Sequence, residues 1–304
     1  MNCRLLYLTL AVVSRAFCQE VTISGPRMGL VYDSNAGLRT VMGIPGAAYV
    51  GSVLPLDFTP DIVFIAPEQS FALAASAGKL MLIDASRANP AVRVVDGVTD
   101  AARVWFSPGG KSALVVAASG ERAQALTGLP DAPRISGEFA FGGAAAMCAI
   151  SDDARFAITV SSDGAISQWD GQGKLLSTAS LGTVTAIQFF NRSGDALLAG
   201  SSGKRLYKIR ESGEIVAVRE IDSAVAVATS PDDSILYALS AGGSLLALRE
   251  NGEQVGSYTS PVKATGLQRM GDVLRLNDYS GGPLAIFDGL QILYIPPAKD
   301  GGDQ

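Results

Sequence analysis

The sequence predicts an all-β fold, a β-propeller in which four-stranded sheets, or blades, surround a central axis. Two kinds of turn predict this fold, because each recurs at a regular spacing along the chain and the two keep a constant offset from each other. Glycine turns between apolar alternating strands are spaced by 42, 44, 39, 39 and 39 residues, at Gly78, Gly120, Gly164, Gly203, Gly242 and Gly281. A second turn, of the form Ser/Ala/Asn-Pro/Asp-polar, ends a strand in the same phase, as in FIAPEQS and ATSPDDS. A period near 40 with four short strands is typical of propeller blades.

The N-terminal residues 1–18 are predicted to be a signal peptide. An arginine precedes an apolar core at residues 5–13, and Ala16 and Cys18 place small side chains before a cleavage site. The apolar core is shorter than the roughly 20 residues that span a bilayer, so we expect no membrane span. We therefore expect an exported protein, periplasmic or extracellular, that begins near Gln19. A buried first element and a lipid anchor at Cys18 are the alternatives.

One propeller domain is expected over residues 19–297, followed by a flexible tail at 298–304. Gly37 lies 41 residues before the first glycine of the series, so the N-terminal region supplies a further unit. Dividing about 286 residues by a period near 40 predicts seven blades, with six as the alternative. Ring closure should place the strands near 21–32 beside those of 284–295.

Each unit is expected to contain an inner strand, a Pro/Asp turn, a second strand, a Gly turn, a third strand and a variable fourth strand. No four-stranded sheet buries both faces alone, so the blades must stack against each other. Small residues such as Ala72 and Ala74 allow close approach, and Trp105 and Trp169 are interpreted as wedges between blades. The stretch Gly43–Gly51, GIPGAAYVG, has no counterpart elsewhere and suits a closure loop or a rim feature that contacts a partner.

The hairpin SDGAISQWDGQGKLL resembles the blade hairpin of WD40 and YVTN-type propellers, with Trp169 and Asp170 in the place of the WD dipeptide. The resemblance covers residues 60–297 at the level of fold and implies a divergent, exported bacterial type. The chain has no histidine, so the His of the WD40 Gly-His motif is missing, which favours the broader WD40/YVTN-like class. The resemblance carries no active-site motif.

Several kinds of chemistry are excluded by composition. The absence of histidine removes Ser-His-Asp and Cys-His catalysis and every His-ligated metal. Cleavage of the signal peptide leaves Cys148 alone, in the apolar stretch AAAMCAIS, where it is interpreted as a small buried hydrophobe. The net charge of −5 disfavours nucleic acid as a partner. No stretch has the pattern of a calcium loop, and we expect no metal and no cofactor.

Carboxylates and other polar groups on the repeats are the remaining candidates. Asp152-Asp153 and Asp232-Asp233 follow inner strands at what is interpreted as the same place, which indicates turn formation. The inner strands offer few larger polar side chains that could line the channel, namely Asp61, Arg103, Gln188 and Lys263, with Gln268 in the last unit.

The function that this pattern favours is a non-catalytic scaffold. We expect a monomer that binds another protein or a small ligand at the rim loops or at the axial opening. The alternative is a propeller enzyme, lactonase-like or quinoprotein-like, which uses carboxylates or a bound ion at the central channel. Convergence of the candidate polar residues on one pocket would favour the enzyme.

Overall fold

The computed structural model describes residues 25–87 and 89–298. This part of the chain is built from β-strands and turns, and contains no helix long and apolar enough to cross a membrane. The signal peptide predicted at 1–18 lies outside the described residues. So does the tail predicted at 298–304, apart from Ala298, whose amide donates to Tyr279 Oη at 3.1 Å.

The strands of the described residues are numbered in chain order. They are β1 (Arg27–Asp33), β2 (Gly37–Met42), β3 (Tyr49–Val53), β4 (Ile62–Ile65), β5 (Phe71–Ser76), β6 (Lys79–Asp84), β7 (Ala91–Thr99), β8 (Ala101–Phe106), β9 (Ser112–Ala117), β10 (Arg122–Thr127), β11 (Arg134–Ala140), β12 (Ala145–Ile150), β13 (Phe156–Ser161), β14 (Ala165–Asp170), β15 (Leu175–Ser180), β16 (Ala186–Phe189), β17 (Ala196–Gly200), β18 (Arg205–Ile209), β19 (Ile215–Glu220), β20 (Ala224–Thr229), β21 (Ile235–Ser240), β22 (Ser244–Arg249), β23 (Gln254–Thr259), β24 (Gln268–Met270), β25 (Val273–Arg275), β26 (Leu284–Phe287) and β27 (Ile292–Ile295).

These strands form seven antiparallel sheets, each made of strands that are consecutive in the sequence. Blade 1 contains β1–β3, and blades 2 to 7 each contain four strands, beginning with β4, β8, β12, β16, β20 and β24. The predicted fold class, a β-propeller, is confirmed. The blade count is seven rather than six.

The Gly turns between second and third strands occupy matching corners of successive blades. Gly78, Gly164 and Gly203 have φ values of 75°, 84° and 77°, in the left-handed region that glycine enters without steric cost. In blade 6 this conformation belongs to Gly243, with a φ of 82°, and not to Gly242 as predicted. Gly243 N closes the turn by donating to Ser240 O at 3.0 Å, which places the corner one residue later.

Blade 1 corresponds to the second, third and fourth strands of the other blades. The turn at Gly37 joins β1 to β2, and β2 has buried residues at the same positions as the third strands β6, β10 and β14. Within the described residues no strand pairs with the axial edge of β1. Gln69 Oε1 accepts from Leu30 N at 2.8 Å, and Leu30 lies within β1, opposite Thr40 of β2. A side chain of blade 2 thus bonds this edge of β1.

An apolar cluster lies between every pair of adjacent blades. The cluster between blades 7 and 1 contains Val31, Met270, Leu284 and Ile286, so the described part of the predicted ring closure is present. Six further clusters join blades 1 to 7 in sequence. Burial of this surface, at about 25 cal/mol per Å² of apolar area, is the main favourable contribution to folding.

Candidate functional site

A cavity of about 480 Å³ lies on the axis and is lined by residues from all seven blades. The inner strands β4, β8, β12, β16, β20 and β24 supply most of its wall. Blade 1 contributes Tyr32 and Ser34, from the end of β1. Because the inner strands converge on the axis, residues far apart in the sequence meet around one space.

The wall of the cavity combines apolar and polar surface in similar amounts. Its aromatic part comes from blades 2 and 3, which supply the half-buried rings of Phe64, Trp105 and Phe106. Trp105 was predicted to be a wedge, and this is only partly correct, because its half-buried ring contacts the apolar cluster between blades 3 and 4 and also lines the cavity. Such a wall suits the apolar body of a ligand.

Trp169 is a wedge between blades, as predicted. Its indole is 9% exposed and packs edge-on against Phe139, with 6.5 Å between ring centroids. Its Nε1 donates to Thr159 Oγ1 at 3.0 Å, which satisfies the polar end of the ring.

Backbone groups of β1 add polarity to one side of the cavity. The amide of Leu30 points away from β2, because it donates to Gln69 Oε1. Amides of alternate residues in a strand point the same way, so the N–H and C=O of Tyr32 also face away from β2. Tyr32 lines the cavity, and these peptide groups can therefore meet a ligand.

Among the described residues, the charged groups that line the cavity come from blade 7. They are Arg269, Arg275 and Asp278. Arg275 is 8% exposed, and it donates through Nη2 to Gln268 Oε1 and, at 3.1 Å, to Asp278 Oδ1. Burial lowers the pKa of the Arg275 guanidinium, and the nearby Asp278 carboxylate opposes this shift.

Arg269 bridges two blades at the end of the cavity where the Pro/Asp turns lie. Its Nη1 donates to Asn191 Oδ1 of blade 5 at 2.9 Å, and its Nε donates to Gly271 O at 3.2 Å. Asn191 in turn donates through Nδ2 to Asp233 Oδ1 of blade 6 at 2.7 Å. The bridge therefore connects blades 5, 6 and 7 and holds Arg269 in place.

Of the predicted channel residues, Gln188 lines the cavity. Asp61, Arg103 and Lys263 are exposed. Asp61 and Lys263 precede β4 and β24, and Arg103 is the third residue of β8. Asp61 Oδ2 accepts from Ala77 N at 3.1 Å in a Gly turn, and the Arg103 guanidinium lies 5.4 Å from the Trp105 ring centroid. The structure thus does not bring the four together in this cavity, and a functional role for them stays a prediction.

Cys148 also lines the cavity, although its side chain is almost fully buried. Burial raises the pKa of its thiol to about 12, and the charge of Arg103 only partly opposes this. The thiol is therefore un-ionised at neutral pH. Since the thiolate is the reactive form, Cys148 is poorly suited to nucleophilic catalysis.

The paired aspartates form turns, as predicted, but the two pairs are not in the same register. Asp153 Oδ1 accepts from Ser151 Oγ at 2.8 Å, and Asp232 Oδ1 accepts from Ser230 Oγ at 2.6 Å, so these two are equivalent. Hydrogen bonds from Ser230 and Ser234 lower the pKa of Asp232 to about 2. Asp152 instead accepts from Gly109 N of blade 3 at 2.8 Å.

Arg275 is the functional candidate that the sequence reasoning missed. It lies in VLRL, an apolar strand of the last unit. A single arginine in such a strand is unusual, and this could have marked Arg275 as a candidate. Among the described residues no group of three or more Cys, Asp or Glu side chains is placed to hold a metal ion.

The fold and the cavity define the class of the protein as a seven-bladed β-propeller with an axial cavity. No protein-family model and no curated protein sequence matches the chain.

Proposed function

We propose that this protein is an exported, non-catalytic propeller of the WD40/YVTN-like type that binds a small ligand in its axial cavity. The observation that carries the proposal is the cavity of about 480 Å³, whose wall combines aromatic side chains with polar groups. Small-molecule sites have volumes of roughly 300–1,000 Å³ and this mixture of surfaces.

The chemistry of the cavity favours binding over catalysis. Its one carboxylate, within the described lining, is Asp278, which accepts from Arg275 and from Thr265 Oγ1 at 3.2 Å. Its thiol, Cys148, is held in the un-ionised form. A lactonase-like or quinoprotein-like enzyme would need several carboxylate or amide groups directed at one point on the axis.

The hairpin at Trp169-Asp170 supports the likeness to WD40 and YVTN-type blades. Asp170 Oδ1 accepts from Gln172 N and from Lys174 N, both at 2.9 Å, and so orders the turn after the dipeptide. Export is proposed from the signal-peptide pattern, and Edman sequencing of protein recovered outside the cytoplasm should begin near Gln19.

Binding in the cavity can be tested with two fluorescent probes, phenylnaphthylamine and anilinonaphthalene sulfonate. We expect at least one of them to bind at a single site and to quench Trp105 by energy transfer. Gln188→Trp should abolish binding, because the indole would fill the cavity. The matched control is Thr178→Trp, on the exposed outer strand β15, which should bind normally. Equal binding by the two variants, or no binding of either probe by the wild type, would overturn the proposal.

A further inference from the structure

Arg275 is a buried cation with unused hydrogen-bond donors in the cavity wall. A guanidinium has five N–H donors, and Arg275 uses those on Nη2 for Gln268 and Asp278. No acceptor among the described residues bonds its Nε or Nη1. Its side chain is 10% exposed, and neither Nε nor Nη1 is fully buried, because Thr127 Oγ1 is the only buried side-chain atom without a partner among the described residues. The two donors therefore stay open to solvent, and an anionic oxygen of a ligand can replace that solvent in a charge-assisted hydrogen bond.

The charge of the cavity is positive, although the chain as a whole carries −5. Two arginines and one aspartate line it, and Arg269 is already held by Asn191 and Gly271. The Asp278 side chain is 66% exposed, so solvent screens its charge more than that of Arg275. The lining therefore favours a negative group beside Arg275.

We propose that the cavity selects organic anions, whose carboxylate or sulfonate group accepts from Nε and Nη1 of Arg275. The apolar body of the ligand lies along the half-buried rings of Phe64, Trp105 and Phe106 from blades 2 and 3. The peptide edge at Tyr32 and the amide of Gln188 can bond polar substituents on that body. This inference rests on the proposed function, because it names the class of ligand that the same cavity takes.

The two fluorescent probes share a ring system and differ in the anionic group, so they test the charge preference directly. We expect anilinonaphthalene sulfonate to bind the purified wild-type protein about tenfold or more tightly than phenylnaphthylamine, since a hydrogen bond to a charged group contributes about 1.5–3 kcal/mol. Equal affinities would overturn the anion preference while leaving ligand binding in place. If neither probe binds, the proposed function itself fails.

The role of Arg275 is tested by Arg275→Gln, which removes the charge and keeps a polar side chain. Sulfonate binding should weaken about tenfold and phenylnaphthylamine binding should change little. The control, Arg249→Gln, removes an equal charge from an exposed arginine paired with Glu253 and should leave both affinities unchanged. An equal loss for both probes would contradict the proposal. The comparison of probes on the wild type does not depend on the folding of any variant.

Discussion

At the scale of single residues, polar side chains stabilise the turns of this fold through hydrogen bonds. The sequence pattern predicted turn formation for the aspartate pairs, because Asp bonds the backbone two residues on. It did not show which aspartate of one pair corresponds to which aspartate of the other, since two Asp-Asp dipeptides can also be aligned with a shift of one residue. The serine two residues earlier, Ser151 or Ser230, distinguishes them. The pattern Ser-x-Asp therefore locates the equivalent turn positions better than the Asp-Asp dipeptide does.

Cys148 gives a residue-scale prediction about reactivity. The native thiol should react with iodoacetamide far more slowly than the urea-unfolded chain at about pH 8, because burial keeps it un-ionised. Alkylation rates followed by mass spectrometry would measure this. Equal alkylation rates in the native and unfolded protein would contradict the burial of the Cys148 thiol.

The same thiol affects stability at alkaline pH. Its pKa is about 12 in the folded protein, above the ordinary value of 9.0. Its contribution to stability is therefore complete below pH 9 and is lost as the pH rises toward 12, because only the unfolded state ionises in that window. Cys148→Ala should show a shallower fall in the free energy of unfolding above pH 9 than the wild type does.

At the scale of elements, the Gly turns were the most predictable part of the structure. Glycine adopts positive φ without steric cost and is therefore favoured at these corners, so its spacing indicates where they lie. Blade 6 differs because two adjacent glycines fit the same period, and the hydrogen bond from Gly243 N to Ser240 O decides between them. The second turn signal likewise placed the ends of the inner strands of blades 2 to 6.

Alanine substitutions at two turn glycines should distinguish the cost of a positive φ from the cost of steric overlap, because the two glycines have different surroundings. A Cβ at Gly78 would have no described neighbour within 4 Å, whereas a Cβ at Gly164 would overlap the carbonyl oxygen of Gly182. Gly78→Ala should lower the free energy of unfolding by about 1–2 kcal/mol through φ alone. Gly164→Ala should lower it by about 2–5 kcal/mol, because the turn must also move. Urea denaturation of both variants would measure the difference, and equal losses would count against close packing at Gly164.

At the scale of the whole molecule, the sequence predicted the number of blades and the order of their strands. It did not predict the axial cavity correctly, because period-two alternation shows which face of a strand a residue occupies but not how far along the axis it lies. Asp61, Arg103 and Lys263 were selected for belonging to inner strands, yet Asp61 and Lys263 precede β4 and β24. Arg103 lies within β8, but only the residues after it, Val104–Phe106, line the cavity. Gln188 lies within its strand and reaches the cavity. Blade 1 was harder still to predict, because the axial edge of β1 is bonded by a side chain of another blade and, among the described residues, by no strand.

That side chain, Gln69, gives a prediction about closure of the ring. It is 7% exposed and contacts three blades: Oε1 accepts from Leu30 N at 2.8 Å, and Nε2 donates to Ala66 O at 3.0 Å and Arg269 O at 3.1 Å. Gln69→Leu would keep the volume but leave buried backbone groups without partners. We expect the free energy of unfolding to fall by about 2–5 kcal/mol, at about 1–3 kcal/mol for each unsatisfied group.

The control for Gln69 is Gln172→Leu, in an exposed turn of blade 4, which should change stability by less than about 0.5 kcal/mol. Hydrogen exchange adds a local measurement, because the amide of Leu30 should exchange faster in Gln69→Leu than in the control. Loss of stability without faster exchange at Leu30 would place the effect elsewhere in blade 2. Unchanged stability would show that apolar packing between blades 7 and 1 closes the ring without this side chain.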